Sequence, residues 1–221
     1  MWNLVYKEFA QIRTFLIQII GFLGLAVAIF GRTVPAMMMS YICVYPVVAA
    51  MTLPQIVFGQ EERGNTFVFL RALPIRPSEI VAAKYVVSAL VTFAFVALLA
   101  LLGPLGSLGG ATLRAAVSTV TLASFVLAAV SYFLHFWLGA KSARVALLLL
   151  TFAAAIPMML LVKMGSGGAA ADISARFSRI VSLAGSPAGV GLAFALGLAI
   201  FFLSYAASSL LFTRRDLSQL P

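Results

Sequence analysis

The sequence predicts an all-α polytopic membrane protein, one transmembrane domain over residues 1–221 with six spans, and three observations predict it. Of the 221 residues, 63% are hydrophobic and 10% are charged, whereas a soluble domain is about 45–50% apolar and about 25% charged. That leaves too little polar surface to coat a particle in water, and the mean hydropathy is +1.10. Several apolar stretches reach the roughly 20 residues with which a helix crosses a bilayer. Charge gathers at the ends of those stretches and in one interrupting segment, Gln60–Ile80.

The elements follow in order. Residues 1–14 place Leu4, Val5, Phe9 and Ile12 close to one helical face among Lys7, Glu8, Gln11 and Arg13. With Trp2 and Tyr6, which favour the headgroup layer, this predicts either an interfacial helix or a helical extension of the first span. Span one is expected over about 15–30. It follows Lys7 and Arg13 as the core of a signal peptide would, but it ends in Gly31-Arg32-Thr33-Val34-Pro35 without a small-residue cleavage site, so it is expected to stay uncleaved. Span two, about 34–58, contains Pro35, Pro46 and Pro54. Interior prolines remove a backbone hydrogen bond and kink a helix, which predicts a bent span packed inside the bundle.

The polar segment 60–80 comes next. Gly64 and Asn65 end the span, Phe67, Leu70 and Leu73 recur at helical spacing, and Pro74 stops that short helix. Ser78 is expected as the cap of span three, with Glu79 in its first turn. Span three covers about 81–102. A glycine-rich loop, Gly103–Leu113, leads to span four, about 115–138, and a tight turn, Gly139–Arg144, leads to span five, about 145–162. The connection 163–188 begins small and flexible, then places Ile173, Phe177, Ile180 and Val181 at helical spacing, as in a helix lying at or dipping into the outer interface. Span six covers about 189–212, before a polar tail.

Lysine and arginine set the orientation. With the N-terminus inside, ten lie on the cytoplasmic side (Lys7, Arg13, Arg63, Arg71, Arg76, Lys84, Lys141, Arg144, Arg214, Arg215) and five outside (Arg32, Arg114, Lys163, Arg176, Arg179). Both termini are therefore expected in the cytoplasm.

The chemistry the residues exclude is informative. A net charge of +9 would suggest nucleic acid in a soluble protein, but these basic residues flank apolar runs and form no basic face with interleaved aromatics, so no nucleic-acid partner is expected. The single cysteine, Cys43, permits neither an intrachain disulfide nor a thiolate metal cluster. The single histidine, His135, sits beside Phe136 and Trp137 and reads as a packed residue, and a catalytic metal needs more ligands than it supplies. Glu61-Glu62 resembles the opening of a membrane-embedded protease motif, but Thr66 stands where that motif needs an arginine. Gly139-Ala140-Lys141-Ser142 lacks the spacing of a phosphate-binding loop. No catalytic or metal-binding residue is expected, and the span middles hold almost no ionisable group of the kind that ion-coupled carriers use.

One segment carries a resemblance. Glu61-Glu62-Arg63-Gly64-Asn65-Thr66, then Phe69-Leu70-Arg71-Ala72-Leu73-Pro74-Ile75, then Glu79-Ile80-Val81-Ala82-Ala83-Lys84-Tyr85 resembles the permease subunits of type-2 ABC exporters, closest to their small bacterial branch. The resemblance implies a multi-pass protein of the bacterial cytoplasmic membrane that works with a separate ATP-binding cassette ATPase and with a second copy or a related permease. ATP and magnesium would be bound by the ATPase, with no cofactor in this chain and no enzymatic activity of its own. Glu61, Glu62, Arg63, Gly64, Phe67, Leu70, Arg71, Leu73 and Pro74 would form the coupling segment that touches the ATPase. Ile173, Phe177, Ile180 and Val181 would belong to an outer gate. The dominance of apolar and aromatic residues in the spans points to a hydrophobic or amphipathic cargo (peptide, lipid or drug-like molecule). A haem-exporter-type permease and a non-transporting membrane scaffold are the alternatives.

Overall fold

The computed structural model describes residues 2–30, 35–63, 76–106, 110–164 and 182–214, with side chains over 2–25, 28–29, 42–63, 76–104, 110–153 and 182–213. Every regular element among the described residues is helical. The middle of the predicted coupling segment and the predicted gate helix lie outside them.

Helix α1, Trp2–Phe30, runs unbroken for 29 residues, about 43 Å at 1.5 Å per residue. Residues 2–14 are continuous with the first span in this single helix. No glycine or proline precedes Gly21 to break the helix, and its polar residues Lys7 and Glu8 find partners on neighbouring helices.

Helix α2, Pro35–Arg63, carries Pro46 and Pro54 inside it. It continues past the expected end at 58, so Gln60–Arg63 belong to the helix. Gln60 is tied there by its Nε2, which donates to the backbone oxygen of Gln11 at 3.1 Å.

Helix α3, Pro77–Leu102, begins earlier than expected, and its cap is Arg76. The sequence pattern places the cap at Ser78, but the proline at 77 moves it to Arg76. The residue before a proline is driven out of the helical region, and Arg76 is extended at φ −69°, ψ 135°. Pro77 suits the first helical position because its missing N–H has no partner to lose there. Glu79 does stand in the first turn.

After a 3₁₀ turn at Gly103–Gly106, helix α4 spans Gly110–Leu138. It starts inside the expected glycine-rich loop, because Ala111–Arg114 continue the helix and Arg114 finds a partner in the connection before the last helix. The predicted turn Gly139–Arg144 shrinks to Gly139 alone. With φ +81°, Gly139 takes the left-handed conformation that ends many helices. Its N–H bonds to His135 O at 3.1 Å, and its own oxygen accepts from Ala143 N–H at 3.0 Å, starting the next helix.

That helix, α5, is Ala140–Met164. The last, α6, is Pro187–Arg214. Ser186 caps it: the Gly189 N–H donates to Ser186 Oγ at 2.9 Å, with Pro187 in the first position.

Among the described residues, five helical stretches are long and apolar enough to cross a membrane: Trp2–Leu25, Ile42–Arg63, Pro77–Leu102, Gly110–Leu138 and Pro187–Thr213. Helix α4 is central. It packs against α2, α3, α5 and α6, most extensively against α6. Its buried residues Ser118, Thr121, Phe125, Ala128, Ala129, Tyr132 and Phe136 repeat every three to four positions, the period of one helical face. Where α6 crosses α4, a Cβ on Gly197 would stand 3.2 Å from the Phe125 side chain, so the glycine permits the close approach. Leu148, Phe152, Phe202 and Leu203 are exposed, as lipid-facing residues are expected to be.

Candidate functional site: a buried ionic cluster where the first three helices meet

Four charged side chains converge near the end of the bundle from which residues 64–75 emerge. Lys7 and Glu8 come from α1, Glu61 from α2 and Lys84 from α3. The Lys84 ammonium donates to Glu61 Oε1 at 2.6 Å and to Glu8 Oε1 at 3.0 Å. Lys7 Nζ reaches the same two oxygens, at 2.6 Å from Glu61 and 3.2 Å from Glu8. The Lys84 and Glu61 side chains are fully buried and that of Glu8 is 2% exposed, while Lys7, at 26%, closes the cluster toward the surface. Two positive and two negative charges balance, which is the condition under which ionised groups are held away from water.

The surroundings complete the cluster. Lys84 Nζ sits 5.1 Å from the Phe58 ring centroid, within the range of a cation–π contact. Phe58 in turn stacks on His135 with centroids 4.9 Å apart, and the His135 Nδ1 lies 2.7 Å from Ser131 O. Since a carbonyl only accepts, Nδ1 carries the hydrogen. Glu8 Oε2 and Glu61 Oε2 have no hydrogen-bond partner among the described residues.

Beside it lies a looser pair. Arg144, at the start of α5, reaches Glu62 Oε2 at 3.8 Å, with both side chains about 40% exposed. The guanidinium crosses over Gly59, where a Cβ would come within 2.7 Å of its Nη2.

At the other end of α4, Arg114 Nε donates to Gly185 O at 2.8 Å and Ser118 Oγ to Ala184 O at 3.0 Å. These bonds fasten the connection before α6 to α4.

A family model described as ABC-2 family transporter protein matches residues 3–213. The chain belongs to that family. No curated protein matches it. The ABC-2 match and the five apolar helices together make this a multi-pass membrane protein, the membrane subunit of an ABC transporter. ABC transporters in general work with an ATPase.

The predicted coupling residues of this ABC-2 chain divide into three groups. Glu61 is buried with its carboxylate turned into the ionic cluster, so its side chain offers no surface to a docking protein. Glu62 and Arg63 are exposed at the end of α2. Gly64, Phe67, Leu70, Arg71, Leu73 and Pro74 lie outside the described residues, as do the predicted gate residues Ile173, Phe177, Ile180 and Val181. Lys7, Glu8 and Phe58 are partners of Glu61 and Lys84 that the sequence pattern did not announce. A signal was available: Lys84 stands eight positions into an apolar helix, and Glu8 is the only acid before Glu61. An isolated charge at such depth requires a partner of opposite sign. No group of three or more histidine, cysteine or acidic side chains fit to hold a metal occurs among the described residues.

Proposed function

We propose that this ABC-2 chain is the membrane-spanning half of an ATP-driven exporter that carries a hydrophobic or amphipathic molecule (peptide, lipid or drug-like) out of the cytoplasm. It works with a separate ATPase subunit, which binds ATP and magnesium, and with a second permease copy or a related permease. Six spans cross the bacterial cytoplasmic membrane, and both termini are cytoplasmic. Residues 163–188 contribute the outer gate.

The observation that carries this reading is the ionic cluster. Residues 64–75 connect α2 to α3, and the Glu61–Lys84 pair joins those two helices close to that connection. A push delivered to the connecting segment by a partner therefore reaches both helices together instead of bending one of them. Glu62, Arg63, Gly64, Phe67, Leu70, Arg71, Leu73 and Pro74 take the docking role in this reading, and Glu61 holds the segment's base. The cargo class is supported by the interior. Apart from the charge-balanced cluster, the buried residues of the described bundle are apolar or carry hydroxyl groups and a single imidazole, so the bundle holds little fixed charge for an ion.

The test is purification from the native membrane. An ATPase subunit should co-purify, and replacing Glu62 and Arg63 together by alanine should cut the permease-dependent ATP hydrolysis several-fold while leaving the chain folded. A complex that contains no nucleotide-binding subunit under any condition contradicts the proposal. Haem bound to the purified complex would redirect it to a haem-exporting permease.

A further inference from the structure

Lys84 and Tyr85 are consecutive on α3, and their polar ends reach opposite sides of the bundle. Lys84 bonds Glu8 on α1 and Glu61 on α2. The Tyr85 hydroxyl lies 2.7 Å from Ser204 Oγ and 2.9 Å from Ser208 Oγ, both on α6. Ser204 gives its one hydrogen to Ala129 O on α4 at 2.7 Å. Tyr85 must then donate to Ser204 and accept from Ser208, since each hydroxyl has one hydrogen to give. The ring of Tyr85 meets Tyr132 on α4 at 4.9 Å, and Phe201 and Tyr205 on α6 at 4.9 and 5.6 Å. Lys84 is fully buried and Tyr85 is 3% exposed.

The helix contacts give this arrangement its meaning. Helix α1 packs on α2 and α3, and α6 packs on α4 and α3. Among the described residues, α3 alone touches both α1 and α6. We infer that Lys84 and Tyr85 form a two-sided clamp through which α3 carries the displacement of residues 64–75 at once to α1 and to α6, so that these helices move as one body. Coupling between distant elements travels through packed side chains and hydrogen-bonded networks that hold one arrangement. Here the network consists of directional bonds, which resist sliding in a way that methyl contacts do not. Lys84 and Tyr85 are positioning residues in this scheme. The inference rests on the reading of 64–75 as the segment driven by an ATPase.

The test measures the distance between spin labels on Ile20→Cys in α1 and Leu203→Cys in α6, both exposed, in a Cys43→Ser background. The sample is the complex with its co-purified ATPase, first without nucleotide and then trapped with ATP and vanadate. With labelled copies diluted among unlabelled ones, so that the distance within one copy is read, the wild-type contacts should give one narrow distance in both states. Tyr85→Phe keeps the ring and removes the hydroxyl, and it should widen or split the distribution at least twofold on trapping while ATP hydrolysis stays within twofold. Lys84→Met should widen or split the distribution as well, and Lys84→Arg should restore the narrow distance. If Tyr85→Phe and Lys84→Met both keep the wild-type distribution while the ATPase is bound and turning over, the clamp is refuted. A wild-type distance that itself changes on trapping refutes it as well. Absence of any ATPase from the complex overturns the functional reading, and the clamp falls with it; unchanged distances in a working complex overturn the clamp alone.

Discussion

At the scale of single residues, charge placement decides which substitutions matter. Glu61 and Lys84 are buried side by side at 2.6 Å. Removing Glu61 leaves the ammonium groups of Lys7 and Lys84 on the single carboxylate of Glu8, and an unbalanced buried charge costs about 3–5 kcal/mol. Glu61→Ala should therefore lower the thermal unfolding midpoint in detergent steeply. The double replacement Glu61→Met with Lys84→Met removes charge in balance and should be clearly less damaging than Glu61→Ala. Equal damage from the single and the double variant would contradict the balanced cluster. The Glu62–Arg144 pair, at 3.8 Å and partly exposed, is of the kind worth less than about 1 kcal/mol. Glu62→Ala should leave the same midpoint nearly unmoved, so that any effect of Glu62 on ATP hydrolysis reflects contact with a partner and not folding.

At the scale of elements, two helix boundaries rest on one residue each. Gly139 sits at φ +81°, where an L side chain costs about 1–2 kcal/mol. Gly139→Ala should destabilise the α4–α5 junction by that order, read by unfolding in detergent, even though a Cβ there would meet nothing within 4 Å. The cost is one of backbone conformation and not of space. Ser186 accepts from the Gly189 N–H at the start of α6. Ser186→Ala should cost about 0.5–2 kcal/mol, the usual worth of an N-cap, and Ser186→Asp should recover most of it. An unchanged midpoint for Ser186→Ala would mean that Pro187 alone holds this helix start.

At the scale of the whole molecule, the two ends of the bundle are held by different chemistry. One end carries the ionic cluster, and the other carries Arg114 and Ser118 bonded to the carbonyls of Gly185 and Ala184. Both ends of α4 are involved, so Lys141, just after α4, and Leu183, next to the Ala184 and Gly185 carbonyls bound near its start, stand at opposite ends of the bundle. Both are exposed. In a Cys43→Ser background, Lys141→Cys should react with an impermeant maleimide only from the cytoplasmic side. Leu183→Cys should react only from outside. Labelling of both from one side would refute the proposed orientation.

The sequence by itself determined the solvent and the elements. Lipid follows from 63% hydrophobic residues against 10% charged, and helices follow from lipid, because a chain in hydrocarbon must satisfy its backbone internally. Local chemistry also marked the turn at Gly139, whereas the starts of α3 and α6 were expected at Ser78 and near 189, just after the prolines Pro77 and Pro187 that govern them. The tertiary structure alone decided what Glu61 does. In the sequence Glu61 and Glu62 are adjacent acids before a polar segment and look alike. One helical step turns them about 100° apart, so that one carboxylate enters a site shared with Lys7, Glu8 and Lys84 and the other remains at the surface. Those partners stand 54, 53 and 23 positions away in the chain. A pairing over such separations is written in the packing of α1 against α2 and α3, and no local pattern encodes which of two neighbouring charges will be buried by it.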